Sequence, residues 1–307
     1  METKSLQTCW YTIFNPTSGG GTKQYKIDGI LSSLKKYQVS FEFIETQYAH
    51  HEEELVEKAI YQGYSKFICI GGDGTIHHMI NGIMKQKYIA TNTIKLAVIP
   101  MGTGNDWVKN YRVPKAPEKA IKLILNNKII YQDIGKITLV ENNREVYFNN
   151  AAGIGFDAFV VKNISKYKKW GSLSYIIAAL VSLKTYITSE ITYSSDTDRR
   201  RSQVFLIALG ICKYSGAGMQ LTNYKNHKKG FLDLAFIKPI SFYKVITQIY
   251  KLYNGKITTV KEAECFHSKE FTVHDNTSCY IQADGELIGS GNAEFKLIPD
   301  AVQFIIP

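Results

Sequence analysis

The sequence predicts an α/β protein built in two parts. Strand-like and helix-like runs alternate from residue 10 to about 134, and the rhythm then changes to strand after strand. Three of the early strands also end in glycine-rich turns.

WYTIFN (10–15) reads as the first strand. Ile27, Ile30, Leu31 and Leu34 then recur at the spacing of one helical face. Strand VSFEFIE (39–45), helix EEELVEKAIYQ (52–62) and strand KFICI (66–70) follow, then a helix with Ile76, Met79, Ile80 and Ile83 on one side. Strand IKLAVI (94–99), helix PEKAIKLILNN (117–127) and strand IIYQDI (129–134) close the series. Repeats of this length require a parallel sheet with helices on its faces. Beyond residue 134 come KITLV, EVYFNNAA, EITYSS, QVFLIALG, FLDLAFI, TTVKEAECF, KEFTVH, CYIQAD, AEFKLI and VQFII, interrupted by helical stretches at 172–186 and 241–254. That pattern predicts an antiparallel sandwich or barrel with inserted helices. The change of period near Gly135 sets the domains at 1–134 and 135–294.

Composition narrows the class. Of 307 residues 45% are hydrophobic and 21% charged, which excludes a disordered or fibrous chain. A net charge of +10 favours anionic partners: nucleic acid, an acidic membrane surface or phosphate-bearing small molecules. Charge alone does not choose among them, but no nucleic-acid motif is present. Cys9, Cys69, Cys212, Cys265 and Cys279 show no metal-ligand spacing and read as reduced, mostly buried thiols of a cytoplasmic protein. The first residues lack a signal-peptide pattern, and no apolar run approaches the ~18–20 residues that span a bilayer. A soluble protein, at most peripheral to a membrane, is expected.

NPTSGGG (15–21), GGDGT (71–75) and PMGTGND (100–106) each follow a strand, at the sheet edge where open α/β folds bind ligands. Glycines let backbone N–H groups approach an anion, and the helix after GGDGT turns its positive end the same way. Asp73, Asp106 and Asp133 each stand at the end of a different strand. Carboxylates beside a polyphosphate repel it unless a divalent cation lies between, so the cluster implies Mg²⁺ with a nucleotide. For each acid alone the competing reading is a helix cap or turn residue. No Walker A sequence occurs, and no GxGxxG opens the first helix.

In the order and spacing of NPTSGGG, GGDGTIHHMINGI and PMGTGNDW, the chain resembles the diacylglycerol kinase catalytic-domain superfamily, specifically the soluble bacterial lipid kinases related to sphingosine and ceramide kinases. DIGK (133–136), NNAAGIGFDA (149–158) and ADGE (283–286) extend the resemblance over nearly the whole chain. It implies a Rossmann-like, NAD kinase-like first domain, a β-sandwich second domain, and a last strand, about 295–307, that returns to the first. It also implies an ATP site made by Asn15, Pro16, Thr17, Ser18, Gly19, Thr46, Gly71, Gly72, Asp73, Gly74, Thr75, Ile76, His77, Thr103 and Asn105. Magnesium would be held through water by Asp73, Asp106 and Asp133. Asp284 would be the general base, supported by Glu286, with Asp73 also catalytic, and Asp157 would face the substrate head group. Without the resemblance, Asp284 reads as the first residue of an Asp-Gly hairpin turn.

Two positions depart from the family pattern. His77 and His78 replace an Asn-Glu pair; being adjacent they point about 100° apart on a helix and read as exposed or capping residues. Lys228 and Lys229 stand where relatives often carry an acid that helps hold a second, structural cation, with Asp233 nearby.

The expected activity is an ATP- and Mg²⁺-dependent lipid kinase acting on a diacylglycerol-like hydroxyl. The lipid would be met at a membrane surface through residues 162–186, where four lysines and Trp170 precede an apolar helix; the competing reading is a helix covering the sandwich. Other readings are an NAD kinase-like or sugar kinase, or a nucleotide- or lipid-binding protein without catalysis. Oligomeric state is left open, a homodimer included.

Overall fold

The computed structural model describes residues 6, 8–18, 23–102, 104–164, 166–167, 174–196, 198–224, 229–274 and 279–307, without the side chains of 23–25 and 174–176. Two compact units emerge, residues 1–132 with 300–307, and residues 133–299.

In the first unit, strands β1 (Trp10–Phe14), β2 (Phe41–Glu45), β3 (Lys66–Gly71) and β4 (Lys95–Pro100) pair in parallel in the order β2-β1-β3-β4. The last part of β16 (Ala293–Ile305) adds a fifth parallel strand beside β4, with Gln303 opposite Lys95. Every residue of β1 is buried, as a strand covered on both faces requires. Helices α1 (Lys23–Lys36) and α5 (Pro117–Asn126) cover one face: Ile27, Ile30, Leu34, Ala120, Ile121 and Ile124 pack with Trp10, Phe14, Ile68, Ile70, Ala97 and Ile99. Pro117 starts α5 without losing a needed N–H, because the first helical donors have no partner within the helix. The alternate residues Ile13, Phe67 and Cys69 are equally buried on the opposite side, where α2 (His51–Tyr61) and α3 (Asp73–Lys85) pack. A short helix, α4 (Asp106–Asn110), was not anticipated; five residues are too few to show periodicity.

The second unit is a sandwich. Strands β7 (Ala151–Gly155), β10 (Leu206–Gly210), β11 (Leu232–Ile237), β12 (Ala263–Ser268), β14 (Tyr280–Ala283) and β15 (Glu286–Ser290) form one antiparallel sheet, ordered β12-β11-β10-β7-β14-β15. The first part of β16 pairs with β13 (Glu270–His274), then β8 (Ser189–Ser195) and β9 (Arg199–Val204). The hairpin of β5 (Ile129–Leu139) and β6 (Arg144–Phe148) joins that second layer through β16. Between the layers lie Ile137, Phe148, Phe271 and Phe295 from one side and Ile154, Ile207, Leu234 and Ile281 from the other. Two of the expected strands are each two. EVYFNNAA breaks at Asn149–Asn150, and QVFLIALG breaks at Phe205, where the chain leaves β9 in one layer for β10 in the other. A continuous apolar run carries no mark of such a corner. Conversely, AEFKLI and VQFII are one strand that passes through Pro299.

Helices α6 (Phe156–Ile164), α7 (Ser174–Thr185), α8 (Phe242–Gln248) and α9 (Tyr250–Tyr253) accompany the β7–β10–β11 sheet; Leu183, Val245 and Leu252 pack near Leu206 and Ile237. α6 was not anticipated, and the expected 241–254 helix is divided at Ile249. All five cysteines are free thiols, and Cys69, Cys212 and Cys279 are buried. Among the described residues no helix is long and apolar enough to cross a membrane.

Helices α2 and α3 meet at Gly82, where an added Cβ would stand 2.7 Å from the Glu53 carbonyl oxygen and 3.0 Å from Val56 Cβ. Alanine gains about 1 kcal/mol of helix propensity over glycine, but overpacking against a fixed backbone costs about 1–3 kcal/mol. Gly82→Ala should therefore lower the denaturant midpoint, against the propensity trend. The same pair of helices carries a pH signature. Burial raises the Glu53 carboxyl, but the hydrogen bonds and charges of His78 and Lys85 prevail and hold it at about 2, below its ordinary 4.5; His50 faces the same group through His78. A depressed carboxyl stabilises the fold above its unfolded pKa, and that stability is lost as pH falls toward the folded value. Acid unfolding between pH ~4.5 and ~2 should accordingly be shallower in Glu53→Gln, as circular dichroism would record.

Candidate active site

In the first unit the turns after β1, β3 and β4 converge. The backbones of the second and third meet glycine to glycine: a Cβ on Gly72 would lie 2.8 Å from Gly102 Cα, and one on Gly102 would lie 2.4 Å from Gly72 Cα. No other residue pair permits that approach, and it brings Asp73 onto the start of α4. Asp73 Oδ2 accepts the Asp106 N–H at 2.9 Å and Oδ1 the Trp107 N–H at 3.2 Å. The carboxylate thus caps a neighbouring helix while standing in the first turn of its own. The capping reading of this acid is therefore real.

The first turn is ordered from within. Asn15 Oδ1 accepts from Thr17 N at 2.8 Å and Thr17 Oγ1 at 2.7 Å, while its Nδ2 donates to buried Glu52 at 2.8 Å. Pro16 lies inside that turn. Ser18 Oγ reaches Thr75 Oγ1 at 3.2 Å, linking the first turn to the second. Asn15, Ser18, Asp73, Thr75 and Asp106 are therefore brought to one edge, with Asn105 donating to the Gly102 carbonyl at 2.6 Å and Gly104 near Asp73. Thr46 is buried just past β2, its N–H bound to the Phe14 carbonyl. Gly71 closes β3, where a Cβ would strike the Thr75 side chain; Gly74 lies in the first turn of α3, and Ile76 turns its side chain into the core. Gly19 and Thr103 lie outside the described residues, as do Lys228 and Trp170.

The histidine pair departs from the exposed or capping role expected of it. His77 is buried and approaches the Asn81 amide at 3.3 Å, and the His78 side chain is only 12% exposed. Both face α2 or the interior because α3 is covered there along its length. Neither periodicity nor spacing in α3 alone carries the position of α2.

In the second unit Asp133 is buried and accepts the Gly230 N–H at 3.2 Å. Nearby in sequence, Asp233 pairs with His267 at 3.1 Å. Asp284 and Gly285 have φ of 49° and 87°, the two positive values of a type I′ turn between β14 and β15. The turn is therefore what the sequence alone suggested, but the side chain does more. Oδ2 accepts the Asn149 N–H at 2.9 Å, and Oδ1 accepts those of Asn150 at 2.9 Å and Ala151 at 3.0 Å. Three successive donors at the β6–β7 corner hold one carboxylate. Glu286, half-buried, opens β15.

Gln282 was missed by sequence reasoning. Its Oε1 accepts the Gly285 N–H at 2.8 Å and its Nε2 donates to Asp157 Oδ2 at 2.7 Å, so one amide ties the Asp284 turn to a buried acid. Asp157 in turn lies on the wall of a pocket of about 110 Å³, lined mostly by apolar residues such as Leu183, Leu206, Met219, Ile237 and Leu252. Alternation along β14 could have marked Gln282 as inward-facing; the cavity, assembled from five separate stretches, leaves no sequence signal.

Asparagine at 284 would set an N–H₂ against backbone donors that now meet oxygen. With about 1.5–3 kcal/mol at stake for a hydrogen bond to a charged group, Asp284→Asn should destabilise the chain by about 2–4 kcal/mol in urea titration, independently of any loss of activity.

Residues 10–137 match the diacylglycerol kinase catalytic domain, and residues 150–306 the YegS C-terminal NAD kinase beta sandwich-like domain. A diacylglycerol kinase of Mycobacterium tuberculosis (strain CDC 1551 / Oshkosh) is 26% identical over 300 residues, covering 96% of this chain and 94% of its own. One from Staphylococcus epidermidis (strain ATCC 12228 / FDA PCI 1200) is 25% identical, with 96% and 91% covered. The crystal structure of a diacylglycerol kinase from Bacillus anthracis str. Sterne superimposes with a TM-score of 0.70 at 17% identity, covering 98% of this chain and 97% of that one, a likeness of fold. With the catalytic-domain match, the sandwich-domain match and relatives aligned end to end, the chain belongs to the diacylglycerol kinase catalytic-domain family of alcohol-accepting phosphotransferases.

Proposed function

We propose that the protein transfers the γ-phosphoryl group of ATP to the hydroxyl of a diacylglycerol-like lipid, with Mg²⁺. The observation that carries the lipid acceptor is the pocket of about 110 Å³ in the second unit, whose lining is apolar but for Asp157, Gln248 and the phenol of Tyr253. A soluble sugar or a dinucleotide would present polar groups that such walls leave unpaired, whereas an acyl chain asks only for apolar contact. Asp157 is suited to orient a head-group hydroxyl at one end of that chain.

ATP phosphates suit the glycine edge of the first unit, where the N-terminus of α3 and the backbone of 71–75 favour anions. Asp73 and Asp106 offer only carboxylate oxygen, the donor Mg²⁺ prefers, and would hold the ion through water. When bound, Mg²⁺ neutralises charge on the phosphates. The protein's own work is then positional. Thr17, Ser18 and Thr75 bind phosphate oxygens, Asn15 fixes their turn, and Asp284 accepts the hydroxyl proton on a carboxylate whose orientation three N–H donors fix. Glu286 supports that acid from the next strand. Gln282 keeps Asp157 and the Asp284 turn in register.

A membrane surface supplies the lipid. Leu180, Val181 and Ile187 are exposed on and after α7, and Phe242, Tyr243, Ile246 and Tyr250 on α8 and α9. Leu180 and Ile246 also line the cavity, so the apolar surface is continuous with it. This extends the 162–186 contact to residues 242–253. The cytoplasm is the compartment that supplies ATP to such a surface.

Incubation with γ-labelled ATP and a panel of lipids in mixed micelles tests the reading. Label should enter diacylglycerol when Mg²⁺ is present, and Asp73→Asn should lower kcat about 100- to 1000-fold. Val245→Trp, which fills the cavity, should raise KM for the lipid about tenfold or more without changing KM for ATP. Label in NAD or a sugar with none in lipid would replace this reading with that of a soluble-substrate kinase; ATP binding without turnover would replace it with a binding protein.

A further inference from the structure

His50, Glu53 and His78 have no part in the site described above, and they converge. His50 is the N-cap of α2, with φ of 66°, and Glu53 stands one turn further on the same side of that helix. His78 projects from the second turn of α3 toward both. His50 Nδ1 and His78 Nδ1 are 3.2 Å apart, and His78 Nδ1 is 3.2 Å from Glu53 Oε1; all three atoms fall within 4.8 Å of one another. Among the described residues this is the group of three His, Cys, Asp or Glu side chains so disposed.

We propose that His50, Glu53 and His78 form a binding site for a divalent transition-metal ion of the Zn²⁺ class. Two imidazole nitrogens at 3.2 Å are held together by one proton between them or by one cation. Metal bonds of 2.0–2.2 Å in tetrahedral array place neighbouring ligand atoms about 3.3–3.5 Å apart, close to both of the 3.2 Å separations. Two imidazoles and one carboxylate leave the fourth position to water, a donor set borderline ions take readily. Mg²⁺ demands oxygen in octahedral array, so the site discriminates against the ion proposed at the glycine edge. The remaining oxygen of Glu53, Oε2, accepts from Lys85 Nζ at 2.7 Å, which orients the carboxylate from outside as second partners of metal ligands do. The three ligands come from two helices that are otherwise joined by packing at Gly82, so the ion would act as a cross-link between α2 and α3.

The test uses the untagged full-length chain, stripped with a chelator, in excess MgCl₂ and without nucleotide, so that its outcome is independent of the kinase reading. Zn²⁺ titrated against a chromogenic chelator should bind at one equivalent per chain and raise Tm, and Co²⁺ in its place should give the visible absorption of a tetrahedral site with nitrogen and oxygen ligands. His50→Gln and His78→Gln should each weaken binding by at least about 10- to 100-fold, the loss that removal of a mere outer partner produces. His50 is exposed, so its variant keeps the fold should His78→Gln not. No stoichiometric binding, Co²⁺ absorption of a thiolate site, or unchanged affinity in His50→Gln would each overturn the proposal.

Discussion

The first unit depends on two backbones touching where neither has a side chain. Gly72 and Gly102 stand so close that a methyl group on either would lie within 3 Å of the other's Cα. That contact, rather than any hydrophobic packing, sets the distance over which Asp73 spans to the Asp106 and Trp107 N–H groups. Once Asp73 is there, α4 has its missing cap, Trp107 is carried into the core, and its indole N–H meets Gln132 at 2.8 Å. A polar constraint at the sheet edge is thus continuous with the packing beneath it.

The second unit repeats the device with different parts. Asp284 occupies a left-handed position that an asparagine or aspartate tolerates better than most residues, and its carboxylate gathers the N–H groups exposed where β6 ends and β7 begins. A corner between two sheets leaves such donors without ladder partners, and burying them unpaired would be costly. One acid in a tight turn satisfies three. The amide of Gln282 then transmits the position of that turn to Asp157 at the cavity wall.

What was legible in the residues follows from how far each signal reaches along the chain. Strands and helices of the first unit were readable because Ile27, Ile30 and Leu34, or Ile76, Ile80 and Ile83, repeat within one element. The glycine turns were readable because positive φ and close approach exclude other side chains. Signals that need two distant segments were not. The corner at Phe205 lies inside an unbroken apolar run, α6 follows the β-like GIG without a cap signal, and the pocket takes its walls from α6, α7, α8, α9 and two strands. His77 and His78 looked exposed because their own helix says nothing of α2 lying across them. Resemblance to a family singled out Asp284 and Asp157 as candidates, which periodicity could not.

Because the acids that look catalytic are also structural, replacing a carboxylate by an amide changes two things at once. For Asp73 the amide nitrogen would confront the start of α4, and for Asp284 the β6–β7 corner. A fall in activity in either variant is ambiguous until stability is measured beside it. The two contributions separate along different axes: a structural defect shifts the denaturant midpoint and follows the backbone donors, while loss of proton acceptance lowers kcat with substrate binding retained. Glutamate separates them less well than asparagine, since its longer side chain cannot sit in a turn with φ of 49° and still reach all three N–H groups. The hydrogen bonds that fix these carboxylates therefore tie any chemistry proposed for them to the fold.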